Sequence, residues 1–334
     1  MTRVAAVDCG TNTIRLLVAD LTREETGRPR LEPLRRRNEI VRLGQGVDRT
    51  GLLDPAALER TLAVVEDYAA DCAELGVEPG RGARRFVATS ATRDARNRED
   101  FAAGVRSLLG VDPEVVSGQE EAHLSFAGSL LGARGTDDGG APRLVVDLGG
   151  GSTELVLGVD APSAAISLDT GSVRITERFL ADGVTPAAEA AARAEVRGLL
   201  DEAERIVDLS APEQLVGLAG TITTVTAHAL GLQAFDPQAL NGAGLSPQAV
   251  LVSCEAIVHS TAEQRASWGY LAPGRRDVIA AGALVWSEVV SRVVARTEAI
   301  GRPLERVTTS LYDILDGIAL SLVPAQPIAE GAGA

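Results

Sequence analysis

The chain has 334 residues, enough at roughly 150 residues per domain for two domains that each bury a core. Hydrophobic residues make up 45% and charged residues 23%, which excludes intrinsic disorder as the main state. The net charge of -14 disfavours nucleic acid and anionic membrane surfaces as partners, and the absence of lysine rules out lysine Schiff-base and P-loop chemistry.

In chain order, the apolar run Val4 to Val7 meets the turn Asp8-Cys9-Gly10-Thr11-Asn12-Thr13, and Ile14 to Ala19 reads as a returning strand. A third strand is expected around Arg35 to Leu43. A helix follows from Pro55 to Leu75, where apolar residues recur at helical spacing behind a proline. A strand at Arg85 to Ala88, a helix from Ala91 onward, a strand at Glu114 to Val116 and a helix from Gln119 to Leu131 complete a βββαβαβα half. Gly132 to Pro142 reads as a flexible surface turn.

The second half opens like the first. Leu144 to Val146 meets Asp147-Leu148-Gly149-Gly150-Gly151-Ser152-Thr153-Glu154, and Leu155 to Gly158 returns. Both segments follow one plan of apolar strand, Asp-x-Gly, hydroxyl-bearing turn and apolar strand, which signals an internal duplication. Strands at Ala164 to Leu168 and Leu215 to Leu218 follow, with a helix at Pro186 to Asp208 between them. A helix after Gly220-Thr221, two long helical patterns within Ser246 to Ala295, a strand near Arg306 to Thr308 and a helix from Tyr312 to Leu322 close the fold. The expected division is 1–124 and 125–323, with a frayed tail at 324–334.

Cys9, Cys72 and Cys254 are odd in number and far apart, so they build neither a disulfide framework nor a zinc ribbon, and a reducing compartment fits them. No apolar leader precedes the first strand, and runs such as Val278 to Trp286 are too short to span a bilayer. A soluble cytoplasmic protein is expected.

The Asp-x-Gly turns carry the chemistry. Glycine lets the backbone approach a phosphate, the N–H groups cradle its oxygens, and the aspartate holds a metal directly or through water. Singly each is an ordinary tight turn; paired in matching context they make a cleft. The third element, Val216-Gly217-Leu218-Ala219-Gly220-Thr221, offers helix N-terminal amides to an anion. This set resembles the actin-like ATPase superfamily, which implies two ribonuclease-H-like α/β domains with mixed sheets and an interdomain active-site cleft.

The remaining strings narrow the resemblance: Leu43-Gly44-Gln45-Gly46, Ala88-Thr89-Ser90-Ala91-Thr92-Arg93, Ser117-Gly118-Gln119-Glu120-Glu121-Ala122 and Asp147 to Glu154, in that order. The chain resembles the Ppx/GppA family of exopolyphosphatases and guanosine pentaphosphate phosphohydrolases, over about Val4 to Gly317. The resemblance implies Mg²⁺-dependent hydrolysis, with Mn²⁺ as an alternative ion. Glu121 would activate the attacking water, Glu154 would support it or the metal, Arg93 would bind a phosphate, and Asp8 and Asp147 would hold the metal. Phosphate contacts would come from Gly10, Thr11, Asn12 and Thr13, from Gly149, Gly150, Gly151, Ser152 and Thr153, and from Gly220 and Thr221. A carboxylate flanking a polyanion resists ionisation, so Glu121 is expected to titrate high enough for base work.

Longer relatives carry a C-terminal helical extension that this sequence lacks, which points to the short two-domain form and to short polyphosphates or guanosine penta- or tetraphosphate as substrates. A homodimer is expected from the family. A sensor of those nucleotides with little turnover is the competing class, and the presence of both Glu121 and Glu154 argues against it. A sugar kinase would need a sugar-binding Asp motif and an adenosine pocket that the sequence does not display. The run Arg35-Arg36-Arg37 reads as a solvated strand face, and His123, His228 and His259 as structural.

Overall fold

The computed structural model describes residues 2–24, 29–80, 82–132 and 140–323. Most of the surface turn expected at 132–142, and all of the tail expected at 324–334, lie outside the described residues.

The first half contains strands β1 (Thr2–Cys9), β2 (Thr13–Arg23), β3 (Pro29–Ile40), β4 (Arg84–Ala88) and β5 (Glu114–Val115) in the order β3-β2-β1-β4-β5. β1–β2 and β2–β3 pair antiparallel, whereas β1–β4 and β4–β5 pair parallel. Its helices are α1 (Val47–Thr50), α2 (Pro55–Glu74), α3 (Ser90–Asp94), α4 (Arg98–Leu109) and α5 (Gly118–Ser129). α2 starts where the sequence places it, because Asp54 caps the N–H groups of Ala56 and Ala57 and Pro55 occupies the first turn. Its buried residues Ala57, Thr61, Val65, Tyr68 and Cys72 form one helical stripe against the sheet.

The second half repeats that topology strand for strand. Its strands are β6 (Arg143–Leu148), β7 (Thr153–Gly158), β8 (Pro162–Leu168), β9 (Gln214–Leu218), β10 (Gly244–Leu245) and β11 (Val307–Thr309), ordered β10-β11-β9-β6-β7-β8. β6–β7 and β7–β8 are antiparallel, β6–β9 and β9–β11 parallel, and β10 is an added edge. The helices are α6 (Ser172–Ile175), α7 (Pro186–Ala203), α8 (Ala219–Ala229), α9 (Pro237–Leu240), α10 (Pro247–Val258), α11 (Ala262–Ser267), α12 (Ile279–Ala299) and α13 (Ile314–Ser321), with a π-helical turn at Thr176–Leu180 continuing α6. The helix expected to reach Asp208 stops at Ala203, where the chain turns and delivers Val207 and Leu209 to the core. α6, α9 and β10 were not foreseen, being too short to show a period.

Two elements tie the halves together. α5 packs Ala122 and Phe126 on the second sheet beside Val145 and Val156, while its Leu124 joins α13 and the first sheet. The division expected between residues 124 and 125 falls inside this helix. α13, although last in the chain, buries Ile314, Leu315, Ile318 and Ala319 against Ala6, Leu17 and Val87 of the first sheet. α5 and α13 approach through glycines: a Cβ on Gly128 would lie 1.8 Å from the carbonyl oxygen of Asp313, and one on Gly317 1.9 Å from that of Leu124. Among the described residues, no helix is long and apolar enough to cross a membrane.

Candidate active site

The duplicated hairpins place equivalent groups at equivalent points. Gly10 donates to the carbonyl of Thr13 at 2.9 Å, and Gly149 to that of Ser152 at 3.0 Å, so each strand end closes in the same turn. The hairpin registers set Asp8 directly opposite Arg15 and Asp147 directly opposite Glu154. Each pair therefore occupies one face of its sheet.

One cleft between the halves is lined by Asp8, Gly10, Thr11, Asn12, Thr13, Glu121, Asp147, Gly149, Gly150, Ser152, Glu154, Gly220 and Thr221, together with Arg15 and Arg275. Three of the residues expected at the site do not line it. Gly151 turns to a small neighbouring cavity, and its carbonyl accepts from Nε of Arg174 at 2.7 Å. Thr153 is fully buried in β7 and donates its hydroxyl to the carbonyl of Thr170. Arg93 donates from Nη1 to Oε2 of Glu121 at 3.2 Å and to the carbonyl of Val116 at 2.9 Å.

Burial governs the electrostatics. Glu121 is pushed up to about 7, first by burial, with Arg93 pulling the other way. The neighbouring Glu154 is held well above the ordinary carboxylate range by burial and then by the charge on Glu121. Of this pair, Glu154 retains the proton longer. Its Oε1 accepts from Ser167, its partner on β8, at 2.7 Å. Asp147 rises to about 6 through burial and the nearby Asp313, and Asp8 is raised by burial despite Arg15.

A hard divalent cation suits these donors, which are all oxygen. Arg15 makes both of its contacts to Oδ2 of Asp8, and Ser125 donates to Oδ2 of Asp147 at 2.6 Å. The second oxygen of each carboxylate accepts no hydrogen bond among the described residues. Mg²⁺ keeps several waters and takes one or two carboxylates plus substrate phosphates, so a protein cage is not required. Among the described residues the one trio of His, Cys, Asp or Glu ligand atoms within 4.8 Å of each other is Glu189, Glu255 and His259, outside the cleft. There the guanidinium of Arg193 already pairs with both glutamates.

Two cleft cations escaped the sequence reading. Burial works against the charge of Arg15, but Asp313 and Asp8 outweigh it and hold the guanidinium above its ordinary range. A signal for it existed: aligning the two repeats puts Arg15 at the position of Glu154. Arg275 reaches the loop of Gly220 from the other end of the domain, and burial lowers it to about 10. A Cβ at residue 220 would fall 1.0 Å from its Nη1, so the glycine makes room for the guanidinium. Ala219 just before it holds a φ of 70°, a left-handed conformation that alanine adopts at a cost, aiming the loop at the cleft.

Away from the cleft, the strand arginines expected as a solvated face are ion-paired in alternation. Arg35 and Arg37 both pair with Asp71 on α2, whereas Arg36 points to Asp316 on α13.

Two ribonuclease-H-like halves facing a cleft of carboxylates and glycine-rich loops define the actin-like ATPase fold class. A nucleoside triphosphate hydrolase structure from Neospora caninum shares the fold at a TM-score of 0.52 and 10% identity, covering 96% of this chain and 92% of that one. The chain itself belongs to the Ppx/GppA phosphatase family, whose pattern it matches over residues 21–300. It is 44% identical over 328 residues to Exopolyphosphatase 2 of Mycobacterium tuberculosis, covering 96% of this chain and 99% of that protein. The crystal structure of an exopolyphosphatase-like protein superimposes with a TM-score of 0.88 at 41% identity, covering 96% and 97% of the two chains. A Ppx/GppA family member from Aquifex aeolicus superimposes at 0.73 with 26% identity, covering 96% and 97%.

Proposed function

We propose that the protein is an exopolyphosphatase, releasing orthophosphate from the end of inorganic polyphosphate. The observation that carries this reading is Glu121, a buried carboxyl pushed up to about 7, set in one cleft with both phosphate-type loops. The near full-length similarity to Exopolyphosphatase 2 supports the choice of substrate.

The terminal phosphate rests on the amides of the Gly10–Thr13 and Gly149–Ser152 turns, with Arg15 and Arg275 balancing its charge. Glu121 accepts a proton from a water aligned with the terminal bridge. The water oxygen bonds to phosphorus, and the bridging P–O bond breaks with its electron pair going to the shortened chain. Glu154, the more readily protonated partner, hydrogen-bonds the same water or the incoming phosphate. Asp8 and Asp147 would hold Mg²⁺ or Mn²⁺, which when bound neutralises charge on the phosphate oxygens. Short chains are the favoured substrates, since a net charge of -14 repels the remainder of a long polyanion outside the cleft.

Phosphate release with Mg²⁺ from tripolyphosphate, long polyphosphate and guanosine pentaphosphate tests the reading. Turnover greatest on polyphosphate upholds it. Turnover confined to guanosine pentaphosphate overturns it, as does tight nucleotide binding with no turnover on any of the three.

A further inference from the structure

Arg15 is gripped from its own hairpin and from Asp313, 298 positions further along the chain. On its own hairpin, Nε and Nη2 donate to Oδ2 of Asp8 at 2.9 and 2.6 Å. From the other side, Nη1 donates to Oδ2 of Asp313, the residue that caps α13. Asp313 is itself fixed by more than this contact. Its Oδ1 accepts from the N–H of Leu315 at 3.0 Å, and its own N–H donates to Oδ2 of Asp316 at 3.0 Å, closing a capping box. Asp316 is fully buried and pairs with Arg36 on β3. The glycine contacts between α5 and α13 hold the helix in place along its length.

A guanidinium has five N–H groups in a rigid fork. Asp8 and Asp313 together occupy three of them, leaving one on each terminal nitrogen of Arg15. The two end-on N–H groups of a guanidinium, one from each terminal nitrogen, have the spacing to bind two oxygens of one phosphate. We infer that Asp313 is a positioning residue, through which the C-terminal helix orients Arg15 so that its two remaining N–H groups meet the substrate phosphate. The inference rests on the proposed function, in which Arg15 contacts phosphate. Asp313 touches no substrate itself.

The sign of the effect separates positioning from plain electrostatics. Neutralising a carboxylate beside a polyanion site should tighten polyanion binding if charge alone matters. A positioning carboxylate does the opposite, because its loss lets Arg15 rotate out of register. Asp313→Asn and Asp313→Ser both keep a side-chain oxygen to cap Leu315, so α13 is retained while the charge is removed. Tripolyphosphate affinity by titration calorimetry, and KM and kcat for tripolyphosphate, are measured for both, at a temperature where melting curves show each variant folded. The expected result is about tenfold weaker binding, the value of one charge-assisted hydrogen bond, expressed in KM with kcat within about threefold of wild type. Unchanged or tighter binding in the Asp313 variants overturns the inference. Arg15→Ala, measured alongside, distinguishes the two levels. If it loses binding while the Asp313 variants do not, the positioning role fails and the phosphate role of Arg15 stands; if it binds as wild type, the underlying reading of Arg15 fails.

Discussion

Arg93 donates to Glu121 at 3.2 Å, so the carboxyl assigned to the attacking water is braced by a cation. That contact lowers the proton affinity of Glu121 against the larger opposing effect of burial. Replacing Arg93 by methionine keeps much of the volume and removes the charge. Glu121 then ionises at still higher pH, and the acid limb of the kcat/KM profile, expected near 7 in the wild type, should move upward. An unmoved acid limb would show that Glu121 is not the group whose ionisation limits the reaction.

The same buried carboxyls make stability depend on pH in an uncommon direction. A carboxyl raised from 4.5 to about 7 stays protonated in the folded state while the unfolded chain has already lost its proton. The stabilisation is complete below the unfolded value and is lost as pH rises through the folded one. Melting temperature should therefore fall between about pH 5 and pH 8 in metal-free buffer. Glu121→Gln should flatten that fall, and adding Mg²⁺ at pH 8 should restore part of it.

Arg174 crosses between the halves. Its side chain is nearly buried, donates to Asp94 at 2.7 Å and to Asp48, and holds the carbonyl of Gly151. Arg178 shares Asp48, and Glu177 accepts from the N–H of Gly46 at 2.9 Å, so α6 and the π-helical turn clasp the first half beside the cleft. Arg174→Met leaves two carboxylates short of a partner. It should cost about 2 kcal/mol, below the figure for a fully buried pair because Asp94 is partly exposed. Urea unfolding measures the cost, and X-ray scattering should report a larger radius of gyration as the halves part.

Gly220→Ala is a narrower probe. The added methyl would occupy the place of the Arg275 guanidinium, so Arg275 must leave the cleft. KM for tripolyphosphate should rise about tenfold, and Arg275→Ala should add little on top of it, because both changes remove one interaction. Additive effects would mean that Arg275 does not act from the position beside Gly220.

The halves differ in how much of them was legible. The Asp-x-Gly turns show in the sequence because close backbone approach to a phosphate demands glycine and small hydroxyl residues at fixed offsets. The two hairpins repeat those offsets, and the strands around them are long enough to display their apolar character. A motif names Arg93 and not the direction of its side chain, which donates to Glu121 and to the carbonyl of Val116. For Gly151 and Thr153 too, the contacts come from the fold: the carbonyl of Gly151 accepts from Arg174, and the Thr153 hydroxyl donates to the carbonyl of Thr170. Arg275 and Asp313 carry no local signal for a role in the cleft. Arg275 falls within the helical patterns expected over Ser246 to Ala295, and Asp313 within the helix expected from Tyr312. Arg275 lines the cleft from the segment before α12, which Arg42 ties to the first half, and Asp313 meets Arg15 because α13 packs on the first sheet.

In the proposed reaction Glu121 takes the proton of the attacking water. Glu121→Gln keeps the shape and the Arg93 contact while removing the base. With tripolyphosphate and Mg²⁺, single-turnover phosphate release should fall by about a thousandfold, in the range expected for loss of a general base, with tripolyphosphate affinity within about threefold of wild type. Phosphate release at the wild-type rate from this folded variant would contradict the account.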